Sequence, residues 1–539
     1  MDIPAQLHLT WKTRTVPEGY RKNLESWKAT HPDWTVQVWS DADIRELISS
    51  QYPDFLEIFD RYEKAIMRAD AFRYFVLHHL GGVYADLDIF AHQNLCPLLN
   101  TSTCFLTLEP DSHAKKPKAI RRGLEFIVCN ALMGSVPGHP FWPYVIKLLR
   151  RQAEVPYVLD STGPFMLTGA ALSCPAHQRP DLMSADAWSP ADAESMPSSA
   201  KCAEVAAARG FRILGEKDDS SNAVFVEHQW HSSWCKAKPG VLGNLESMVR
   251  KLKYRLRRTR HGAIEFRASP PPVPIQSQTF APPTRLPRLA IATPIKQAAA
   301  FLEAYGQIIE SVAYPPELIE LCFVVSDSSD GTMDLLQAAR ERWKGHFRRI
   351  QVEEVNFGFH AAVPRWQPSI QRRRRANIAH CRNRLAELAS ESDYVLFLDV
   401  DLTHVPTDIV QTLLGAEAPV VMANCVDELD RVFDLNSFFY EEEPSFGYKS
   451  RALKDGLFQP EAKWPRMYLS DVAYLNKVPL DCVGGTCLLV EQSVFQSGVR
   501  FPEEPFQYHI ETEGFSLLAR DRGFEVLGLP NVKVVHPRR

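Results

Sequence analysis

A chain of 539 residues has room for about two to four domains. Its 45% hydrophobic and 23% charged residues exclude a mostly disordered chain. Its 61 basic and 65 acidic residues give a net charge of -4, which excludes the bulk basic charge of a nucleic-acid binder. No apolar run approaches the roughly 18 residues of a membrane span, and the start, Met-Asp-Ile-Pro, lacks the pattern of a signal peptide. On that basis the sequence reads as cytoplasmic, or as a chain whose anchor has been removed. The 11 cysteines are odd in number and form no CxxC pair, so they read as buried thiols rather than a disulfide framework.

In chain order, TVQVWS (35–40) predicts a strand. A helix follows over RADAFRYFVLHHL (68–80), with Phe72, Phe75, Val76 and Leu80 as its apolar stripe. Gly81-Gly82 should break that helix and turn the chain into a strand over GGVYADLDIF (81–90). RKLKYRLRRTR (250–260) holds seven basic residues in eleven. It reads as a solvated face or flexible connector, or as a surface that meets anionic lipid or phosphate, a peripheral membrane contact. PPPVPIQSQTFAPPTRLP (270–287) has seven prolines and reads as an extended, semi-rigid linker. The second half predicts strands at LAIATP (289–294), LIELCFVVSD (318–327) and YVLFLDVDL (394–402), with a helix around 296–312. The expected domains are therefore 1–245 and 288–539, joined by a basic and Pro-rich linker at 246–287. Strands alternating with helices in both halves imply two α/β domains with mostly parallel sheets.

One chemical feature occurs twice. Asp86 and Asp88 close GGVYADLD, and Asp399 and Asp401 close YVLFLDVD. Each apolar strand delivers two carboxylates, at i and i+2, to its C-terminal edge, where open α/β sheets bind ligands. On a regular strand those two side chains share a face and can aim at one hard cation, Mg²⁺ or Mn²⁺. Such a cation neutralises a departing diphosphate, as a nucleotide-sugar transferase requires. Asp70 and Arg73, three apart, are neighbours on one helix face, where a surface ion pair is worth under about 1 kcal/mol.

The segments IPAQLHLTWKT (3–13), RADAFRYFVLHHLGGVYADLDI (68–89), STGP (161–164) and EHQWHSSW (227–234) resemble, in order, the signatures of glycosyltransferase family 32. That resemblance implies a GT-A-like fold, a nucleotide-sugar donor and a divalent metal. Asp70, Arg73 and Trp234 would contact the donor, Asp86 and Asp88 would serve donor and metal, and His228 would be a further metal ligand. Gln229 stands where the family pattern has its second histidine.

The second half resembles glycosyltransferase family 62, the fungal mannan polymerase subunits. The residues that carry this are ATPIKQAAAFLEAYGQIIESVAYPPELIELCFVVSDSSDGTMDLL (292–336), RRRRANIAHCRNRL (372–385), LFLDVDLTHVP (396–406), FDLNSF (433–438), VPLDCVGGTCLLV (478–490) and the run 501–536. The resemblance implies a retaining α-mannosyltransferase that uses GDP-mannose and Mn²⁺ (or Mg²⁺) on a glycan acceptor, within a glycosyltransferase complex. Asp399 and Asp401 would take the donor and metal role, with His536 as a further metal ligand. Pro294, Asp327, Arg374 and Arg382 would lie on the donor, Glu511 would be catalytic, and Glu513 and Asp481 would face the acceptor. Val400 stands where the family has Ala. The families implied are usually Golgi proteins.

Three functional readings follow. Both halves are metal-dependent glycosyltransferases, or only the C-terminal half catalyses and the N-terminal half is a glycan-binding or scaffolding module. The third, a phosphohydrolase with a DxD nucleophile, lacks a downstream Lys and acidic-pair block.

Overall fold

The computed structural model describes residues 2–189, 201–215, 224–230, 286–360, 363, 367–442, 448, 451–459 and 466–538. It divides into two compact units, Met1–Arg258 with Asp471–Tyr474 and Thr259–Ser470 with Leu475–Arg539. Trp234, the basic run 250–260 and nearly all of the predicted linker 246–287 lie outside the described residues. No described helix is long and apolar enough to cross a membrane. The ten described cysteines are free thiols, and all but Cys96 are buried.

The strands of the first unit are β1 (Gln6–Thr10), β2 (Thr35–Trp39), β3 (Gly82–Ala85), β4 (Ile89–Ala91), β5 (Cys104–Leu108), β6 (Val128–Ser135), β7 (Asp181–Met183), β8 (Ile213–Leu214) and β9 (Val226–His228). Seven of them form one sheet in the order β2-β1-β3-β6-β5-β7-β8. Its pairs are parallel except where β6 runs against β3 and β5. Leu7, Leu9, Val83, Ala85, Phe105 and Leu132 carry the core of this sheet.

The strand expected over 81–90 is broken in two. β3 stops at Ala85, and β4 leaves the sheet to pair with β9. The Asp86 amide donates to Ala131 O at 2.8 Å, and the Ile89 amide donates back to Asp86 O at 3.1 Å, so Asp86–Asp88 lie in a turn. The helix before it, Ala65–His79, is buried on all sides over 70–77 rather than along one stripe, with Asp70, Arg73 and Tyr74 as enclosed as Phe72 and Phe75. Gly81 and Gly82 sit at φ 68° and 89°. A Cβ on Gly81 would lie 2.7 Å from Pro137, so the turn needs glycine twice over.

The strands of the second unit are β10 (Leu289–Ile295), β11 (Ile319–Val325), β12 (Arg349–Glu354), β13 (Tyr394–Leu398), β14 (Val420–Val426), β15 (Phe438–Tyr440), β16 (Leu453–Lys454), β17 (Leu457–Phe458), β18 (Arg466–Tyr468), β19 (Val478–Pro479), β20 (Cys487–Glu491) and β21 (Val526–Val535). The main sheet has eight strands in the order β12-β11-β10-β13-β20-β14-β21-β19. β20 runs against both of its neighbours, β13 and β14. β13 ends at Leu398, so the expected strand 394–402 is shorter and its aspartates again fall just beyond it. The expected helix around 296–312 begins later, at Leu302, and runs to Ser311. Central positions of the parallel strands, such as Ile291, Leu321, Leu396 and Val421, are fully buried.

Both units are thus α/β, with mostly parallel sheets and a reversed strand beside the strand that ends in the aspartate pair. Two sheet-containing α/β units with mostly parallel strands are what the sequence implied.

Candidate active sites

In the first unit the buried helix Ala65–His79 aims two charges at the end of β3. The Arg73 side chain is only 4% exposed, and its Nη2 lies 3.2 Å from both Asp70 Oδ1 and Asp86 Oδ1. Arg73 also donates to Asn130 O at 2.7 Å, and its guanidinium lies over the Tyr84 ring. Asp70 accepts from Asn130 Nδ2 and Thr162 Oγ1, each at 3.1 Å. Burial pushes Asp70 up to about 6, against the pull of Arg73. Tyr84 donates its hydroxyl to Asp86 at 2.8 Å. Burial also raises Asp86, with Arg73 opposing and Asp88 adding to the rise.

Across the turn, His228 at the end of β9 places Nε2 3.2 Å from Asp88 Oδ1. Ligand atoms of Asp86, Asp88 and His228 all lie within 4.8 Å of one another. His228 Nδ1 is buried and has no hydrogen-bond partner. Trp230 packs its ring on His228, centroids 4.0 Å apart, and Trp188 stacks on the same imidazole. Two carboxylates and one imidazole form a donor set that suits Mn²⁺.

In the second unit the helix Pro368–Leu388 plays the part of Ala65–His79. Arg382 lies 3.6 Å from Asp399 Oδ1 through Nη2 and 3.2 Å from Glu511 Oε1 through Nε. It also donates to Gly485 O at 3.3 Å. The Asp399 amide donates to Thr486 O at 3.0 Å. Burial pushes Asp399 up to about 7, with Arg382 opposing and Asp401 adding. His536, just past the end of β21, puts Nε2 2.9 Å from Asp401 Oδ1, and Phe433 stacks on its ring at 3.8 Å. Burial disfavours the charged form of His536, yet the bond to Asp401 outweighs it and raises its pKa. Asp434 accepts from Thr486, Ser437 and the Asn436 amide. Burial raises Asp434 as well. Crowded, protonation-prone carboxylates of this kind are what a divalent cation relieves.

Several predicted residues come together in two clusters. Asp70, Arg73, Asp86, Asp88 and His228 form one cluster, and Arg382, Asp399, Asp401, Glu511 and His536 form the other. Asp327 follows β11, with its carboxylate taking the Phe357 and Gly358 amides at 2.9 Å and Lys296 at 3.3 Å. These donors hold it below the ordinary carboxylate range despite burial. Pro294 lies in β10 opposite Val324, and Arg374 is half-buried on the Pro368–Leu388 helix. Asp481 accepts from the Tyr440 amide at 2.7 Å and pairs with Arg520. Burial opposes ionisation of Glu513, but Arg375, His509 and Arg466 outweigh it and hold the acid well below its usual range.

Sequence reasoning missed Tyr84, Asn130, Trp230 and Asp434. Tyr84 sits two residues before Asp86, and Trp230 two after His228, so both carried a local signal. Arg375 is one of four consecutive arginines, Arg372 to Arg375, and nothing in the sequence sets it apart from its neighbours.

Residues 276–505 match the Anp1 family model. The mannan polymerase complex subunit mnn9 of Schizosaccharomyces pombe is 32% identical over 269 residues, covering 46% of this chain and 79% of that protein. The chain belongs to the Anp1 family. Residues 17–105 match a second model, the glycosyltransferase sugar-binding region containing a DXD motif. In that half, mannosyl phosphorylinositol ceramide synthase CSH1 of Saccharomyces cerevisiae is 39% identical over 171 residues, 31% of this chain. This Anp1-family chain spans 42% of the length of that relative. A solved structure, mannosyltransferase PcManGT from Pyrobaculum calidifontis in complex with GDP-Man and Mn²⁺, is 15% identical with a TM-score of 0.29, covering 53% of this chain and 64% of that one. The arrangement is that of two glycosyltransferase regions in tandem.

Proposed function

We propose that the chain is a bifunctional, metal-dependent retaining glycosyltransferase that moves mannose from GDP-mannose to a glycan acceptor, with one site in each unit. The observation that carries this reading is a constellation built twice. In each unit a buried arginine from the preceding helix meets the first aspartate of the pair, and a histidine at or just past the end of a later strand meets the second. Mannosyl transfer is supported by the names of the relatives of both halves, as is membership of a mannan polymerase-type assembly.

Asp86, Asp88 and His228 would hold a Mn²⁺ or Mg²⁺ ion in the first unit, and Asp401 and His536, with Asp399, would hold one in the second. When bound, the cation neutralises charge on the departing diphosphate. The protein's own groups do the rest. Arg73 and Arg382 favour the ionised form of the first aspartate and fix its direction. Tyr84 fixes Asp86 further through its hydroxyl. Asp70 takes sugar hydroxyls of the donor, while Asp327, Arg374 and Arg382 serve the nucleoside diphosphate in the second unit. Glu511 faces the glycosyl centre, and the acceptor hydroxyl attacks on the same face as the leaving group.

The test is product analysis of the intact protein with GDP-mannose, Mn²⁺ and an α-mannoside acceptor, for Asp88→Ala and Asp401→Ala separately. Each variant is expected to lose its own linkage by at least about 100-fold. Unchanged transfer in both variants would falsify the reading. Loss in Asp401→Ala alone would leave a single catalytic unit.

A further inference from the structure

The loop into the helix Glu511–Asp521 is strained. Gln507, Tyr508 and Glu511 all have left-handed backbones, at φ 49°, 68° and 58°. Three such residues within five positions, none of them glycine, persist only where the surroundings over-determine them. Glu511 is also the first residue of its helix, where an ordinary φ would serve. The Glu511 amide donates to Pro502 O at 3.0 Å, and one side chain grips both the peptide before Glu511 and its carboxylate. Arg375 donates through Nη2 to Ile510 O at 3.1 Å, the peptide just before Glu511. Its Nε lies 3.4 Å from Glu511 Oε2, and its Nη1 lies 3.4 Å from Glu513 Oε2. Glu513 is anchored in turn by His509 at 3.1 Å and Arg466 at 3.6 Å. The remaining oxygen of Glu511 goes to Arg382, which reaches Asp399.

We propose that Arg375 is a positioning residue: it clamps Glu511 in its left-handed conformation and aims that carboxylate toward the Asp399 side of the site, without itself meeting the donor. This rests on the reading of the second unit as a transferase. A planar guanidinium can grip a carbonyl and two carboxylates at once, and an ammonium cannot reproduce that fork. Lysine at this position therefore keeps the charge and loses the geometry. Glu513, on the same account, anchors the clamp.

The experiment uses the intact protein with Asp88→Ala silencing the first unit, GDP-mannose, Mn²⁺ and methyl α-mannoside. Arg375→Lys, Arg375→Met and Asp401→Ala are added singly. Arg375→Lys is expected to lower kcat by about 10²-fold, the scale of a misplaced catalytic group. The KM for GDP-mannose should stay within about twofold. Arg375→Met should fall at least as far in kcat, and if it does not fold, the lysine variant decides alone. A kcat within twofold of the parent in Arg375→Lys overturns the clamp. So does a loss of kcat matched by a loss of donor affinity, which would put Arg375 on the nucleotide. Transfer that survives Asp401→Ala, or is missing from the parent, defeats the underlying reading instead.

Discussion

At Gly485 the second site has no room for a side chain. A Cβ there would collide with Arg382 Nη2. The neighbour is the tip of a flexible chain, so Gly485→Ala should move the guanidinium rather than the backbone. We expect a folded variant whose transfer by the second unit drops at least about tenfold, read by kinetics beside a melting curve. Arg73 makes the opposite case. Its removal would leave Asp70 buried with no countercharge, and breaking a buried pair costs about 3–5 kcal/mol. Arg73→Ala should therefore destabilise by that much in denaturant titration, and Asp70→Asn should recover part of the loss in the double variant. The pairing of Asp70 with Arg73 was legible from their spacing, because a helix makes i and i+3 neighbours. Their burial was not, because the faces that enclose them come from distant segments such as Asn130 and Thr162.

Single elements carry a pH dependence. His8 on β1 is fully buried, donates through Nε2 to Gly81 O at 2.9 Å, and accepts the Trp39 indole N–H at 3.2 Å on Nδ1. Burial lowers its pKa from 6.5 to about 4, with the Gly81 bond opposing. A base depressed on folding contributes stability above the unfolded value and loses it as pH falls. The loss should run from about pH 6.5 to about 4 and amount to roughly 3 kcal/mol. Denaturation midpoints across that range should slope in the parent and flatten in His8→Asn, which starts lower at neutral pH. The apolar runs that became β2, β10, β11 and β13 were readable from composition alone. The break after each aspartate pair was not, because an i, i+2 spacing fits a strand as well as a turn. What decides it is a carbonyl on another segment, which no local pattern reveals.

For the molecule as a whole, folding and ligand binding should be linked through four acids. A ligand that binds only the folded state at about 100 times its Kd adds about 2.7 kcal/mol. Mn²⁺ with GDP should raise the melting midpoint of the parent. The rise should vanish in the Asp88→Ala, Asp401→Ala double variant and after chelation. The doubled α/β organisation was evident in the sequence because both halves repeat the same strand-then-acids phrase. The reversed strand in each sheet left no such trace. Yet it governs the outcome, since Ala131 and Thr486, on or beside those strands, receive the amides of Asp86 and Asp399. A one-residue slip of either antiparallel partner would turn that partner's side chains to the other face and move the carbonyl that holds the aspartate amide. Anyone retargeting this protein to another sugar can redraw its loops, but has to leave those two counter-running ribbons in register.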